Sequence, residues 1–183
     1  MKIIGITGTL GAGKGTIVEY LTNKHGFTHF SVRTYLIKAI NAQGKEVNRD
    51  NMVQTANQLR AENGPSYIAE ELLKEAKESG SNCIIESIRT VGEVTALKSK
   101  GNFYLFSVDT DRKIRYERIL LRGSETDMVS YETFSENEDR EMTSSDPNKQ
   151  NLSACMKLAD YHFTNNSSFE GLYQQIDKVI EAI

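Results

Sequence analysis

Five short strand candidates recur along the chain: the apolar runs Ile3-Ile4-Gly5-Ile6-Thr7, Asn82 to Glu86 with Cys83-Ile84-Ile85, and Phe103 to Val108, and the more mixed stretches Thr28 to Ser31 and Asp160 to Thr164. Runs of this length bounded by polar or glycine residues read as buried strands. Between them the hydrophobic spacing becomes helical. Lys14 to Lys24 carries Ile17, Val18 and Leu21 on one side, and Arg33 to Asn41, Asp50 to Glu62, Ser66 to Ser79, Val91 to Lys98 and Asp111 to Arg122 follow the same period. Asn63-Gly64-Pro65 separates two of these helices, and Ser167 or Ser168 is placed to cap a last one. In that last helix Phe169, Leu172, Tyr173, Ile176, Val179, Ile180 and Ile183 form a stripe read as core. Strands alternating with helices predict βαβ crossovers and a parallel sheet covered on both faces.

One stretch breaks the pattern. Ser124 to Asn151 is rich in Ser, Thr, Glu and Asp and poor in aliphatics, so it reads as a mobile excursion. It has room for a helix over Tyr131 to Met142, carrying Arg140, and a second over Gln150 to Leu158.

The chemistry concentrates where the first strand meets the first helix. Gly8-Thr9-Leu10-Gly11-Ala12-Gly13-Lys14-Gly15-Thr16 matches the phosphate-binding pattern Gly-x4-Gly-Lys. Glycines let backbone N–H groups converge on a polyphosphate at a helix N-terminus, and the lysine adds a charge. The strict pattern places Ser or Thr directly after the lysine as a Mg²⁺ ligand; here Gly15 stands there and Thr16 follows.

Charged positions elsewhere fit an anionic ligand. Arg112, Arg115, Arg118 and Arg122 share one helix face, either as a ligand-facing stripe or as a solvated face paired with Asp109, Asp111 and Glu117. Glu86-Ser87-Ile88-Arg89 ends the third strand, where ligands of open α/β sheets bind. Glu86 is then placed to orient Mg²⁺-bound water or an acceptor, and Arg89 to hold an acceptor phosphate; the alternative is a Glu86 to Arg89 ion pair. Arg118 and Arg122 are expected at the transferring phosphoryl group, with Arg140 swinging in as the excursion closes. Arg33, Arg49 and Arg60 have two readings, acceptor contact or ordinary surface arginine. His25, His29 and His162 are scattered and suit no catalytic dyad.

A length of 183 residues fits one domain with a sizeable core, and a formal net charge of -3 argues against a general nucleic-acid or membrane-surface binder. Cys83 and Cys155 lack metal-ligand spacing, and no apolar run approaches bilayer length. The expectation is a cytoplasmic protein, monomer or homodimer, with a small-molecule partner.

With the loop, the Glu86 to Arg89 strand end, the Arg118 and Arg122 pair and the Ala159-Asp160-Tyr161 to Asn165 stretch in view, the chain resembles small P-loop kinases. These are nucleoside monophosphate kinases such as adenylate kinase, dephospho-CoA kinases, and the kinase-like domains attached to some deoxycytidylate deaminases. Gly-Ala-Gly-Lys14-Gly-Thr16 is similar to the adenylate-kinase loop. The resemblance implies a three-layer α/β P-loop fold over 1–183, with a five-stranded parallel sheet in the order 2-3-1-4-5 and helices on both faces. It further implies acceptor-binding helices over about 33–79, a lid over about 123–151, and ATP and Mg²⁺. On the same ground Gly8 to Thr16 and Asn165 contact the donor nucleotide, and Thr16 and Glu86 the metal, Glu86 through water. Lys14, Arg118, Arg122 and Arg140 serve catalysis, and Arg33, Glu86 and Arg89 the acceptor. The expected activity is γ-phosphoryl transfer to a nucleoside or deoxynucleoside monophosphate. Dephospho-CoA kinase is the alternative within the class, and a non-catalytic nucleotide switch is the alternative outside it. Ile37 stands where adenylate kinases have an arginine, and Ser31-Val32-Arg33 replaces the Asp-Ala-Asp of dephospho-CoA kinases.

Overall fold

The computed structural model describes residues 1–124, 128–166 and 168–183. Five parallel strands, β1 (Ile3–Gly8), β2 (Thr28–Ser31), β3 (Cys83–Glu86), β4 (Phe103–Asp109) and β5 (Tyr161–Thr164), form one sheet in the order β2-β3-β1-β4-β5. This is the expected order. β1 lies at the centre, with Ile4 opposite Ile84 on one side and Tyr104 on the other, and all six of its residues are buried.

Alternation along each strand separates two cores. Ile3, Cys83, Ile85, Phe103 and Leu105 face one, together with residues of α2 (Val32–Ala42), α3 (Arg49–Asn63), α4 (Tyr67–Ser79), α5 (Val91–Lys98) and α8 (Leu152–Lys157). Ile4, Ile6, Ile84, Phe106 and Val108 face the other, formed with α1 (Lys14–His25) and α9 (Phe169–Ala182). Each fully buried aliphatic contributes about 1.5–3 kcal/mol of transfer free energy. Gly5 is needed where it stands, because the Phe103 ring packs over it and an added Cβ would lie 2.6 Å from that ring.

The helix boundaries follow local chemistry. Ser31 caps α2 by accepting from the Thr34 N–H, and Asn48 caps α3 through Asn51. Thr90 and Glu93 form a reciprocal capping box on α5. Ser168 caps α9 through Gly171; the other expected cap, Ser167, lies outside the described residues.

Residues 128–151 of the polar segment are docked onto the body rather than held away from it. Ser130 starts α7 (Tyr131–Met142) by accepting from Thr133. Its Phe134 is 1% exposed, under Tyr116 of α6 (Arg112–Arg122) at 5.5 Å and the Arg115 guanidinium at 5.8 Å. Glu138 of α7 accepts from Arg112 at 2.8 Å and pairs with Arg115, while Asp139 accepts from Arg112 at 2.7 Å. Half of the arginine stripe is thereby spent on attaching α7; of the acids expected as its partners, Asp109 lies 3.9 Å from Arg115. Among the described residues no helix is long and apolar enough to cross a membrane.

Candidate functional site

The carboxyl ends of the strands open into a cleft of about 590 Å³. One wall is the loop between β1 and α1. Gly8, Gly11 and Gly13 have φ of +141°, +80° and +107°, a region that side-chain-bearing residues rarely adopt. Gly11 and Gly13 also press against the body: an added Cβ would lie 2.6 Å from the Arg115 carbonyl and 2.2 Å from Asn165 Nδ2 respectively. Gly15 differs, since nothing lies within 4 Å of its would-be Cβ. The position after the lysine therefore faces open cleft, and Thr16 beside it also lines the cleft.

Lys14 is 8% exposed and its Nζ donates to the Gly8 and Thr9 carbonyls at 3.0 and 2.9 Å. Burial first, and then the Arg89 charge, lower its pKa to about 8. An ammonium held this way is under-neutralised, and a phosphate in the loop would supply the missing charge.

Asn165 ties the loop to the far end of the chain. Its Nδ2 donates to the Ala12 carbonyl at 3.0 Å, and its carbonyl accepts from Arg118 Nη2 at 2.9 Å. Arg118, Arg122 and Phe169 join it in the cleft lining. Phe169 is a departure from expectation: it heads the helical stripe read as core, yet its ring is 62% exposed at the cleft edge. α9 begins beyond the end of β5, so its first turn projects past the sheet, and the stripe becomes buried at Leu172 and Ile176.

The opposite wall comes from β3, α2 and α3. Ser87 turns the chain at the end of β3 with φ of +72°, a left-handed conformation that costs a non-glycine residue roughly 1–2 kcal/mol. The turn is held by the Ser87 and Ile88 N–H groups on the Ile6 carbonyl at 2.9 and 3.0 Å, and Glu86 and Arg89 both line the cleft. They do not pair with each other. Glu86 meets His29 Nε2 at 3.4 Å. Burial alone would raise the Glu86 carboxyl, but the His29 hydrogen bond and the Lys14 charge outweigh it and hold its pKa below the usual carboxylate range.

Arg89 instead donates to Glu141 at 3.0 Å and to Gln150 at 2.8 Å. Glu141 also accepts from Arg49 at 2.6 Å. Arg60, for which a surface position was the plainer reading, is 1% exposed; its Nε and Nη2 donate to Glu93 at 3.2 and 2.9 Å. Arg33 is exposed at the mouth, with Nη1 3.6 Å from Met52 Sδ. Arg140 does not line the cleft: it is directed to Asn137 at 3.0 Å and Asp50 at 3.6 Å on the outer surface. Arg49, Met52, Val53, Ala56 and Arg60 together make one cleft-facing stripe of α3, and their i, i+3, i+4, i+7, i+11 spacing is the sequence signal that could have found it.

A divalent cation of the Mg²⁺ type takes one or two protein oxygens, with phosphate and water completing its shell. Thr16 and Glu86 both border the loop mouth, and among the described residues no cluster of three or more His, Cys, Asp or Glu forms an all-protein cage.

A family model described as AAA domain matches residues 4–144. A UPF0200 protein of Methanocaldococcus jannaschii is 31% identical over 186 aligned residues, covering 100% of this chain and 91% of that protein. Among solved structures, a Thermus thermophilus protein aligns with a TM-score of 0.64 at 18% identity, covering 100% of this chain and 97% of its own. Shikimate kinase from Aquifex aeolicus aligns with a TM-score of 0.54 at 14% identity, covering 98% of this chain and 96% of its own. At these identities the structural likeness is one of fold.

Proposed function

Because the chain belongs to the AAA-domain family and groups with the archaeal UPF0200 proteins, we propose that it is an ATP-dependent phosphotransferase acting on a small anionic acceptor. The observation that carries this reading is the shared cleft, with a phosphate loop on one wall and Arg49, Arg60 and Arg89 on the other. A nucleotide switch needs only the first wall.

In this reading the N–H groups of Gly11 to Thr16 and the Lys14 ammonium hold the β- and γ-phosphates. Thr16 and, through water, Glu86 hold Mg²⁺, which when bound neutralises phosphate charge. The base stacks on the exposed Phe169 ring beside Arg118 and Asn165, a contact indifferent to sequence because every base has a flat face. An acceptor oxygen attacks the γ-phosphorus as the bond to the β-γ bridging oxygen breaks, and ADP leaves. Arg118 and Arg122 stabilise the charge on the moving phosphoryl group. The acceptor lies across Val32, Leu36, Met52, Val53 and Ala56, with its anionic end toward Arg89; a nucleoside or deoxynucleoside monophosphate has this shape and charge. Arg140 could contribute only if α7 moved, since its present partners are outside the cleft.

The test is ADP release from ATP and Mg²⁺ against nucleoside monophosphates, deoxynucleoside monophosphates and dephospho-CoA, with a no-acceptor control. One acceptor standing well above the control is expected. Tight ATP binding without stimulation by any acceptor would favour the switch instead.

A further inference from the structure

The acceptor half of the cleft already holds an anion, and the chain itself supplies it. Glu141, in the last turn of α7, is 4% exposed. Its two oxygens accept separately from Arg49 Nη2 at 2.6 Å and Arg89 Nη1 at 3.0 Å. Two further donors beside the cleft remain unused: Arg49 Nε and Arg60 Nη1 are buried and make no hydrogen bond among the described residues. Buried donors left this way are costly unless a ligand or water completes them. The charge balance agrees. Among the described residues Arg49, Arg60 and Arg89 face only Glu93 and Glu141 as bonded carboxylates, so one positive charge is uncovered with Glu141 in place and two without it.

We propose that Arg49 and Arg89, backed by Arg60, form a binding site for a phosphate monoester, and that Glu141 is its resident stand-in, leaving when the phosphate arrives. The exchange rests on the kinase reading only in naming its ligand as the phosphoryl acceptor. Tethered to α7, Glu141 acts at an effective concentration on the order of millimolar or more. A free monocarboxylate would make the same two contacts and gain nothing over it. A phosphate dianion brings a second charge, and its third oxygen can meet the unused donors. The site therefore selects phosphorylated acceptors over carboxylic ones, and Glu141 sets how tightly either must bind to displace it.

The test is isothermal titration of inorganic phosphate, and separately of acetate, into the full-length protein, its Glu141→Gln variant and the Glu141→Gln/Arg89→Ala double variant. Phosphate at the loop is common to all three, so differences report the second site. Glu141→Gln, which removes the competing charge, should tighten phosphate binding by about ten-fold or more, with acetate gaining by a similar factor but staying the weaker ligand, and adding Arg89→Ala should abolish the gain. Should Glu141→Gln not fold, Glu141→Asp, whose shorter arm reaches the arginines poorly, should show the same trend at reduced size. Equal phosphate affinity in wild type and Glu141→Gln, a gain that survives Arg89→Ala, or acetate binding to Glu141→Gln as tightly as phosphate would each overturn the proposal. The acceptor panel run alongside separates the two readings. A phosphate gain without acceptor-stimulated ADP release sinks the kinase reading alone, and stimulated release without a phosphate gain sinks the exchange alone.

Discussion

Replacing Arg60 by methionine should be among the most destabilising single changes available to this protein. The Arg60 and Glu93 side chains are 1% and 0% exposed. Glu93 Oε1 accepts from the guanidinium at 3.2 and 2.9 Å, while Oε2 accepts from the Arg89 and Thr90 N–H groups at 2.7 and 3.0 Å. Those backbone bonds hold the carboxylate where it is when its counter-ion is removed, and methionine restores the stem's packing but not the charge. Stranding a buried charge of this kind costs about 3–5 kcal/mol. At about 2–4 °C per kcal/mol for a domain of this size, Tm should fall by about 6–20 °C. Neutralising the partner tests the cause. In Arg60→Met/Glu93→Gln the amide oxygen still caps α5 and no charge is stranded, so a double-mutant cycle should show a coupling of about 2 kcal/mol or more. Urea unfolding followed by circular dichroism gives each corner of the cycle. An Arg60→Met variant within about 1 kcal/mol of wild type, or a double variant whose losses simply add, would refute the view that the pair is dry and that its loss is electrostatic.

Three further outcomes follow from the site. Lys14, lowered from its ordinary value of 10.5 to about 8 by burial, is penalised when charged; that penalty is fully present below pH 8 and is relieved as pH rises toward 10.5, so this group's contribution to stability grows across that window. Nucleotide phosphates reverse the preference, so ATP binding near pH 8.5 should take up a large fraction of about one proton, read by titration calorimetry in two buffers of different ionisation heat; Lys14→Arg should remove the uptake. Phe169→Ala should weaken ATP by about 1–3 kcal/mol while leaving tripolyphosphate affinity unchanged, and because the ring is 62% exposed, its melting temperature should stay near wild type; equal losses for both ligands would show that the ring does not meet the base. Arg122→Ala should abolish acceptor-stimulated turnover and leave ATP affinity within about three-fold, the pattern of a contact made mainly in the transition state; unchanged turnover would remove Arg122 from the catalytic set.

The parts of this molecule that sequence makes readable are those whose causes are local. Gly8 to Thr16 is a contiguous loop whose glycines meet steric demands within a few residues, and the apolar runs of β1, β3 and β4 are central strands buried nearly throughout, while the edge strands β2 and β5 keep exposed residues. Arg60 and Glu141 were illegible for the opposite reason. What buries Arg60 is Glu93, on another helix 33 positions away, and what gives Glu141 its place is a pair of arginines from α3 and β3's end. The arginine stripe on α6 was seen but its use was divided, since Arg112 and Arg115 find acids on α7 while Arg118 and Arg122 reach the cleft. Phe169 obeys the helical period and still escapes the core, because periodicity says which side of a helix is apolar and nothing about where the sheet beneath it ends.

The bracing of the loop also has a bearing on how the protein is made. The Ala12 carbonyl accepts from both Thr110 and Asn165, and Gly13 is pressed against the Asn165 amide. The phosphate cradle is thus clamped by a residue that is synthesised 153 positions after it. A nascent chain whose synthesis has reached only the α7 region has its loop sequence and neighbouring strands β3 and β4, yet lacks β5 and the clamp. Nucleotide should therefore engage only once Asn165 has been made, as a seal on the folded loop rather than a nucleus for it, and stalled chains cut off before Asn165 should be poor at retaining ATP.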